Sequence, residues 1–188
     1  MLIRFFFILL IIISSIGYSL YQTKILEDQL SVQPSAVLKN LPLGSFQTLD
    51  GAEFSVHNLF SDPITLLVVH FWGTWCAPCE NELPDFLNFI KRFEGRTDIK
   101  FVLVAVNDDI VKIRKHLKML AIPKSSIIWL LDNKNIHRDI YGTTRVPETY
   151  VFASNKLTLK KYLGPQEWNK TLFFQTFNDF IQISQSKL

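Results

Sequence analysis

Ile64 to Trp72 is an almost unbroken apolar, β-branched run, and a few residues beyond it stands Cys76, the first of only two cysteines in 188 residues. A run of this kind fits a strand buried on both faces of a sheet. Phe101 to Val106 and Ile127 to Leu131 repeat it. Between the runs, Leu83, Phe86, Leu87, Ile90 and Phe93 recur at three- and four-residue spacing, as do Ile110, Ile113, Leu117 and Leu120, which marks two amphipathic helices. Strand, helix, strand, helix, strand in that order predicts parallel pairing through crossover helices, and hence a layered α/β fold. Lys112, Arg114, Lys115 and Lys118 then form a solvated helix face.

Antiparallel elements flank this centre. Phe46 to Val56 alternates around Asp50-Gly51, a strong hairpin turn signal. Glu148 to Ala153 and Leu157 to Leu163 read as an antiparallel pair, and Trp168 to Ile183 as a closing helix with Leu172, Phe173, Phe177, Phe180 and Ile181 inward. Apolar residues at 48%, with 16 Phe, supply one packed core, so the disordered and disulfide-scaffold classes are excluded. A net charge of +3 with no basic block excludes a nucleic-acid binder driven by phosphate contacts.

The uncharged run from Phe5 to Thr23 is, at about 1.5 Å per residue, just long enough to cross a hydrocarbon core of about 30 Å. Residues 1–23 are therefore expected to be a transmembrane anchor or a cleaved signal segment, with Ser15, Gly17 and Ser19 available for a cleavage site. Arg4 on the short side places the remainder outside the cytoplasm by the positive-inside bias. Residues 24–44, with Pro34 and Pro42, read as a tether, and residues 45–188 as the folded domain.

Cys76 and Cys79 sit where the buried run hands over to the first amphipathic helix. Unpaired N–H groups and the positive end of the helix dipole would stabilise a thiolate at Cys76, while Cys79, one turn further in, is shielded and resolves a mixed disulfide. A purely structural disulfide would close a tiny loop and constrain little. Zinc or copper needs more donors than two sulfurs, and His57, His70, His116 and His137 show no ligand spacing. Covalent haem attachment needs a histidine where Glu80 stands. No cofactor or metal is expected beyond the cysteine pair itself.

Trp75-Cys76-Ala77-Pro78-Cys79, Pro84 and the later Val146-Pro147 resemble the thioredoxin superfamily, and most closely its membrane-anchored TlpA, ResA and CcmG (DsbE) branch. The likeness runs from about Ser35 to Ile183 and includes Leu49-Asp50-Gly51, the Phe71-Trp72-Gly73-Thr74 approach, and Pro147-Glu148-Thr149. It implies a thioredoxin-like fold: a central mixed sheet flanked by helices, with an N-terminal hairpin and a central strand and helix insertion. It further implies that Pro147 is cis and faces the sulfurs, that the backbone of Val146 docks an extended substrate, and that surfaces around Val146 and Trp75 choose it. An ordinary trans turn proline is the alternative. Glu82 falls where ResA-type members carry an acid that passes protons to or from Cys79; an exposed first-turn glutamate is the alternative. His70 replaces the buried aspartate of thioredoxin, either as a proton relay or as a hydrogen-bonded core histidine. Arg145 departs from the small residue usual there in CcmG.

The resemblance implies a protein-disulfide oxidoreductase at the extracytoplasmic face of a bacterial inner membrane. It would reduce client disulfides such as those of apocytochrome c, with a membrane electron donor returning electrons. Reduction of copper-site cysteines in oxidase assembly, or copper carriage without turnover, are the rivals. A peroxidase fits poorly, because Val69 and Gly73 stand where its motif needs Pro and Thr or Ser.

Overall fold

The computed structural model describes Phe6 and residues 13–22, 38–61, 65–120, 122 and 127–186. Residues 13–22 are helical, and most of the expected anchor lies outside the described residues. Among the described residues no helix is long and apolar enough to cross a membrane. Residues 1–33 and 34–188 are separate compact units, and the second carries the fold.

Among the described residues, seven strands form one sheet: β1 (Ser45–Thr48), β2 (Glu53–Ser55), β3 (Leu66–Trp72), β4 (Ile99–Val106), β5 (Ile127–Asp132), β6 (Glu148–Ala153) and β7 (Thr158–Leu163), in the order β2-β1-β5-β4-β3-β6-β7. β3, β4 and β5 pair in parallel, joined by helices α1 (Ala77–Lys91) and α2 (Ile110–Leu117). β6 pairs antiparallel with β3 and β7, while the hairpin β1-β2 docks antiparallel on β5. Every residue of β3 and β6 is buried, which is why β3 reads as a nearly continuous apolar run, while β6 buries Glu148 and Thr149 along with its apolar residues.

Side chains alternate along β3, so Leu66, Val68 and Trp72 meet one apolar layer and Leu67, Val69 and Phe71 the other. The first layer is closed by α1, α2 and α4 (Thr171–Ser186), with Phe86, Phe89, Trp168 and Phe177 in mutual ring contact. The second is closed by a 3-10 helix (Val56–Ser61), by Tyr141, which follows the short helix α3 (Ile136–Ile140), and by Leu38 and Leu41.

The packed chain therefore begins upstream of residue 45. Leu41 is buried, its N–H donates to Lys156 O, and Lys39 O accepts from Thr158, so part of the expected tether is built into the body. The closing helix starts at Thr171 rather than Trp168, because Trp168 is drawn into the core ahead of the first turn. Phe177, Phe180 and Ile181 point inward as expected, whereas Leu172 is exposed and Ser184 is buried, its hydroxyl donating to Thr65 O at 2.7 Å.

Phe86 is fully buried and touches the rings of His70, Phe89, Phe101 and Trp168. Phe86→Ala is expected to cost about 3–5 kcal/mol of unfolding free energy, read from the denaturation midpoint at constant slope.

Candidate active site

β3 delivers Trp72 to the end of the sheet, and Gly73-Thr74-Trp75 turns the chain into α1. β4 and the residues just after it hold this turn. Thr74 donates its backbone N–H (2.6 Å) and its hydroxyl (2.8 Å) to the carboxylate of Asp108, and Trp75 Nε1–H donates to Val106 O at 2.9 Å. A Cβ on residue 73 would lie 2.7 Å from Trp75 Nε1, so glycine is what lets the indole fold back over the turn. The indole is still 58% exposed beside the cysteines.

Cys76 and Cys79 are joined as a disulfide. Cys76 is the N-cap of α1, and its sulfur accepts the Cys79 backbone N–H at 3.2 Å. Pro78 occupies the first turn, where its missing N–H leaves no helical bond unmade. Cys76 retains 6% exposure against 1% for Cys79, so an incoming sulfur reaches Cys76 first. Val146 O lies 3.7 Å from Cys76 Sγ, the Val146-Pro147 peptide is cis, and Pro147 O accepts from Gly164 N–H at 2.9 Å. Chain segments 70 residues apart thus meet at one sulfur.

His70 and Glu82 both sit on this side of the sheet in apolar surroundings. The His70 ring is buried against Phe86, and its Nδ1 lies 2.9 Å from Thr149 Oγ1 on β6. Burial holds its pKa down at about 3, so the imidazole is neutral at physiological pH. Glu82 lies one turn beyond Cys79 on the same helix face and is buried, not an exposed first-turn glutamate. Burial raises its pKa to about 7 despite bonds from Trp168 Nε1–H and the Gln166 backbone. Its Oε2 makes no hydrogen bond among the described residues, so one oxygen is open to a proton. Glu80 is exposed, 3.8 Å from His116 Nδ1.

All the residues singled out from the sequence, namely Trp75, Cys76, Cys79, Glu82, His70, Val146 and Pro147, fall on this one side of the sheet end. Sequence reasoning missed Asp108, Thr149 and the role of Trp168. An aspartate two residues past a buried strand was a usable hint for Asp108; nothing local marks Trp168, which is 86 residues from Glu82. Among the described residues, no three His, Cys, Asp or Glu side chains group to hold a metal ion.

The Redoxin family profile matches residues 36–173. The chain belongs to the Redoxin family. This redoxin is 24% identical to "Thiol-disulfide oxidoreductase ResA" of Bacillus subtilis (strain 168) over 157 residues, covering 84% of this chain and 82% of that one. It is 28% identical to "Thioredoxin-like protein YneN" of the same organism over 159 residues, covering 84% and 86%. A solved structure of a thiol:disulfide interchange protein of the thioredoxin family from Chlorobium tepidum TLS superposes with a TM-score of 0.57 at 23% identity, over 80% of this chain and 98% of that one. The redoxin is a thiol-disulfide oxidoreductase working through Cys76 and Cys79, with disulfide-containing proteins as its clients.

Glu82 also fixes a pH dependence. Its pKa rises from 4.5 to about 7 on folding, so the native state holds a proton the unfolded chain has lost, and stability falls as pH rises through that window. Glu82→Gln is expected to match the wild type near pH 4.5 and to exceed it above pH 7 by up to about 3 kcal/mol, measured by denaturant titration at both pH values.

Proposed function

We propose that this redoxin is an exported, membrane-tethered reductant of client disulfides, acting on apocytochrome c cysteines before haem attachment. The observation that carries the reading is the meeting of Cys76 Sγ with Val146 O at 3.7 Å: a backbone carbonyl beside the attacking sulfur suits an extended peptide better than a free metal ion or peroxide. The uncharged Ala77-Pro78 spacer supports the reductive direction, since strong oxidants owe their potential to a heavily stabilised reduced form. The apolar run from Phe5 to Thr23 behind Arg4 supports the tether and the extracytoplasmic placement. The client rests on the resemblance to the TlpA, ResA and CcmG branch, above all in Pro147-Glu148-Thr149.

In this reading the Cys76 thiolate attacks one client sulfur, forming a mixed disulfide and releasing the other client sulfur as a thiolate that takes a proton. Cys79, its proton passed to Glu82, then attacks Cys76 Sγ. The client leaves with two thiols, having gained two electrons and two protons, and the Cys76-Cys79 disulfide is restored. A dithiol donor in the membrane returns the electrons, because an oxidising compartment favours the disulfide.

Two measurements test this. Equilibrated against dithiothreitol, the full chain is expected to show a reduction potential below about −200 mV, and a value near about −120 mV would make it a disulfide donor instead. Cys79→Ser is expected to accumulate a mixed disulfide at Cys76 with a disulfide-bonded apocytochrome c fragment, seen as a reducible adduct by mass spectrometry; Cys76→Ser should form none.

A further inference from the structure

The face of the sheet opposite the sulfurs carries a buried polar cluster that the exchange chemistry does not use. Glu148 is fully buried immediately after Pro147 and accepts from Lys161 Nζ at 3.0 Å. Lys161 Nζ also donates to Gly142 O at 3.0 Å and lies over the Tyr150 ring. Tyr150 OH donates to Tyr141 O at 2.7 Å and sits 3.0 Å from Thr143 Oγ1. Burial opposes the Lys161 charge, but its bonds to Tyr150 and Glu148 outweigh that and raise its pKa.

Among the described residues, the cluster's side-chain hydrogen bonds outside its own strands go to three consecutive residues, Tyr141, Gly142 and Thr143. These begin the segment that crosses to Val146, whose carbonyl lies beside Cys76 Sγ. Burying a carboxylate, an ammonium and a phenol is unfavourable unless each is paired, so this arrangement tolerates few alternative positions of the segment.

We propose that Tyr150 and Lys161, with Glu148 holding the lysine, are positioning residues for client docking: they fix residues 141–146 from behind so that Val146 presents its backbone to an extended peptide at Cys76. This rests on the reading that Val146 docks the client. A small disulfide, which needs only Cys76, gains nothing from the bracket, so the residues act on selectivity for peptide disulfides over small ones.

The test compares kcat/KM of the reduced full chain for an extended peptide bearing one internal disulfide with that for oxidised glutathione. Tyr150→Phe and Lys161→Met are each expected to lower the peptide-to-glutathione ratio about tenfold, mainly through KM, whereas a ratio within about twofold of wild type would overturn the inference. Should Lys161→Met not fold, Tyr150→Phe, which keeps the ring and the Glu148–Lys161 pair, decides alone. A wild type with no preference for the peptide would overturn the docking reading and this inference with it. A preference kept by both variants would overturn the inference alone.

Discussion

The sulfur of Cys76 caps helix α1, and the active site is assembled around that contact. A helix begins with N–H groups that have no intrahelical partner, and here the Cys79 N–H finds the Cys76 sulfur at 3.2 Å. The atom that must carry negative charge in exchange chemistry is therefore placed where the helix most needs an acceptor.

The turn before the helix depends in its own way on the buried sheet. β3 is covered on both faces and cannot slide by one residue without moving His70 and Trp72 into the opposite layer. Its register with β4 brings the residues just beyond Val106 alongside Gly73 and Thr74, so the Asp108 carboxylate and the Val106 carbonyl can take the turn's donors. The register with β6 sets Thr149 opposite His70, just beyond Pro147. Two strand registers thus deliver both halves of the site, the cysteine turn and the Val146-Pro147 segment, to the same end of the sheet.

Features set by local periodicity were legible in the sequence. β6 falls on Glu148–Ala153 as read, and the parallel strands and both crossover helices lie within a few residues of their expected bounds. The cysteine turn was legible because a buried run, two thiols and an amphipathic helix follow one another along the chain. What was not legible depends on distant pairing. The hairpin's place beside β5 leaves no mark in the hairpin itself, and the Trp168 partner of Glu82 is 86 residues away. The bracket of Glu148, Tyr150 and Lys161 was hidden for the same reason: charged and polar residues in β6 and β7 look like a solvated strand until the loop that covers them is in place. Leu38 and Leu41 were missed because a short apolar pair between prolines has no period to read.

Burial treats the two titratable groups near the sulfurs in the same way, although they are of opposite type. It removes the proton from His70, whose pKa falls to about 3, and keeps one on Glu82, whose pKa rises to about 7. Both shifts favour the neutral form, so neither side chain carries a full charge beneath the disulfide at pH values well above 3 and well below 7. The proton behaviour then separates the two residues. A base with a pKa near 3 is a poor acceptor at neutral pH, and the Nδ1 of His70 is already engaged by Thr149, which makes it a structural core histidine. Glu82 is poised near neutrality and its Oε2 makes no hydrogen bond among the described residues, which is the arrangement that the proposed proton transfer from Cys79 needs. Replacing a carboxylate beneath the sulfurs with an imidazole that stays uncharged leaves a single group to titrate with the cysteines. A second buried carboxylate would have coupled to Glu82 and split their protonation into two steps; the neutral histidine avoids that coupling, and in the proposed mechanism it leaves Glu82 as the proton carrier.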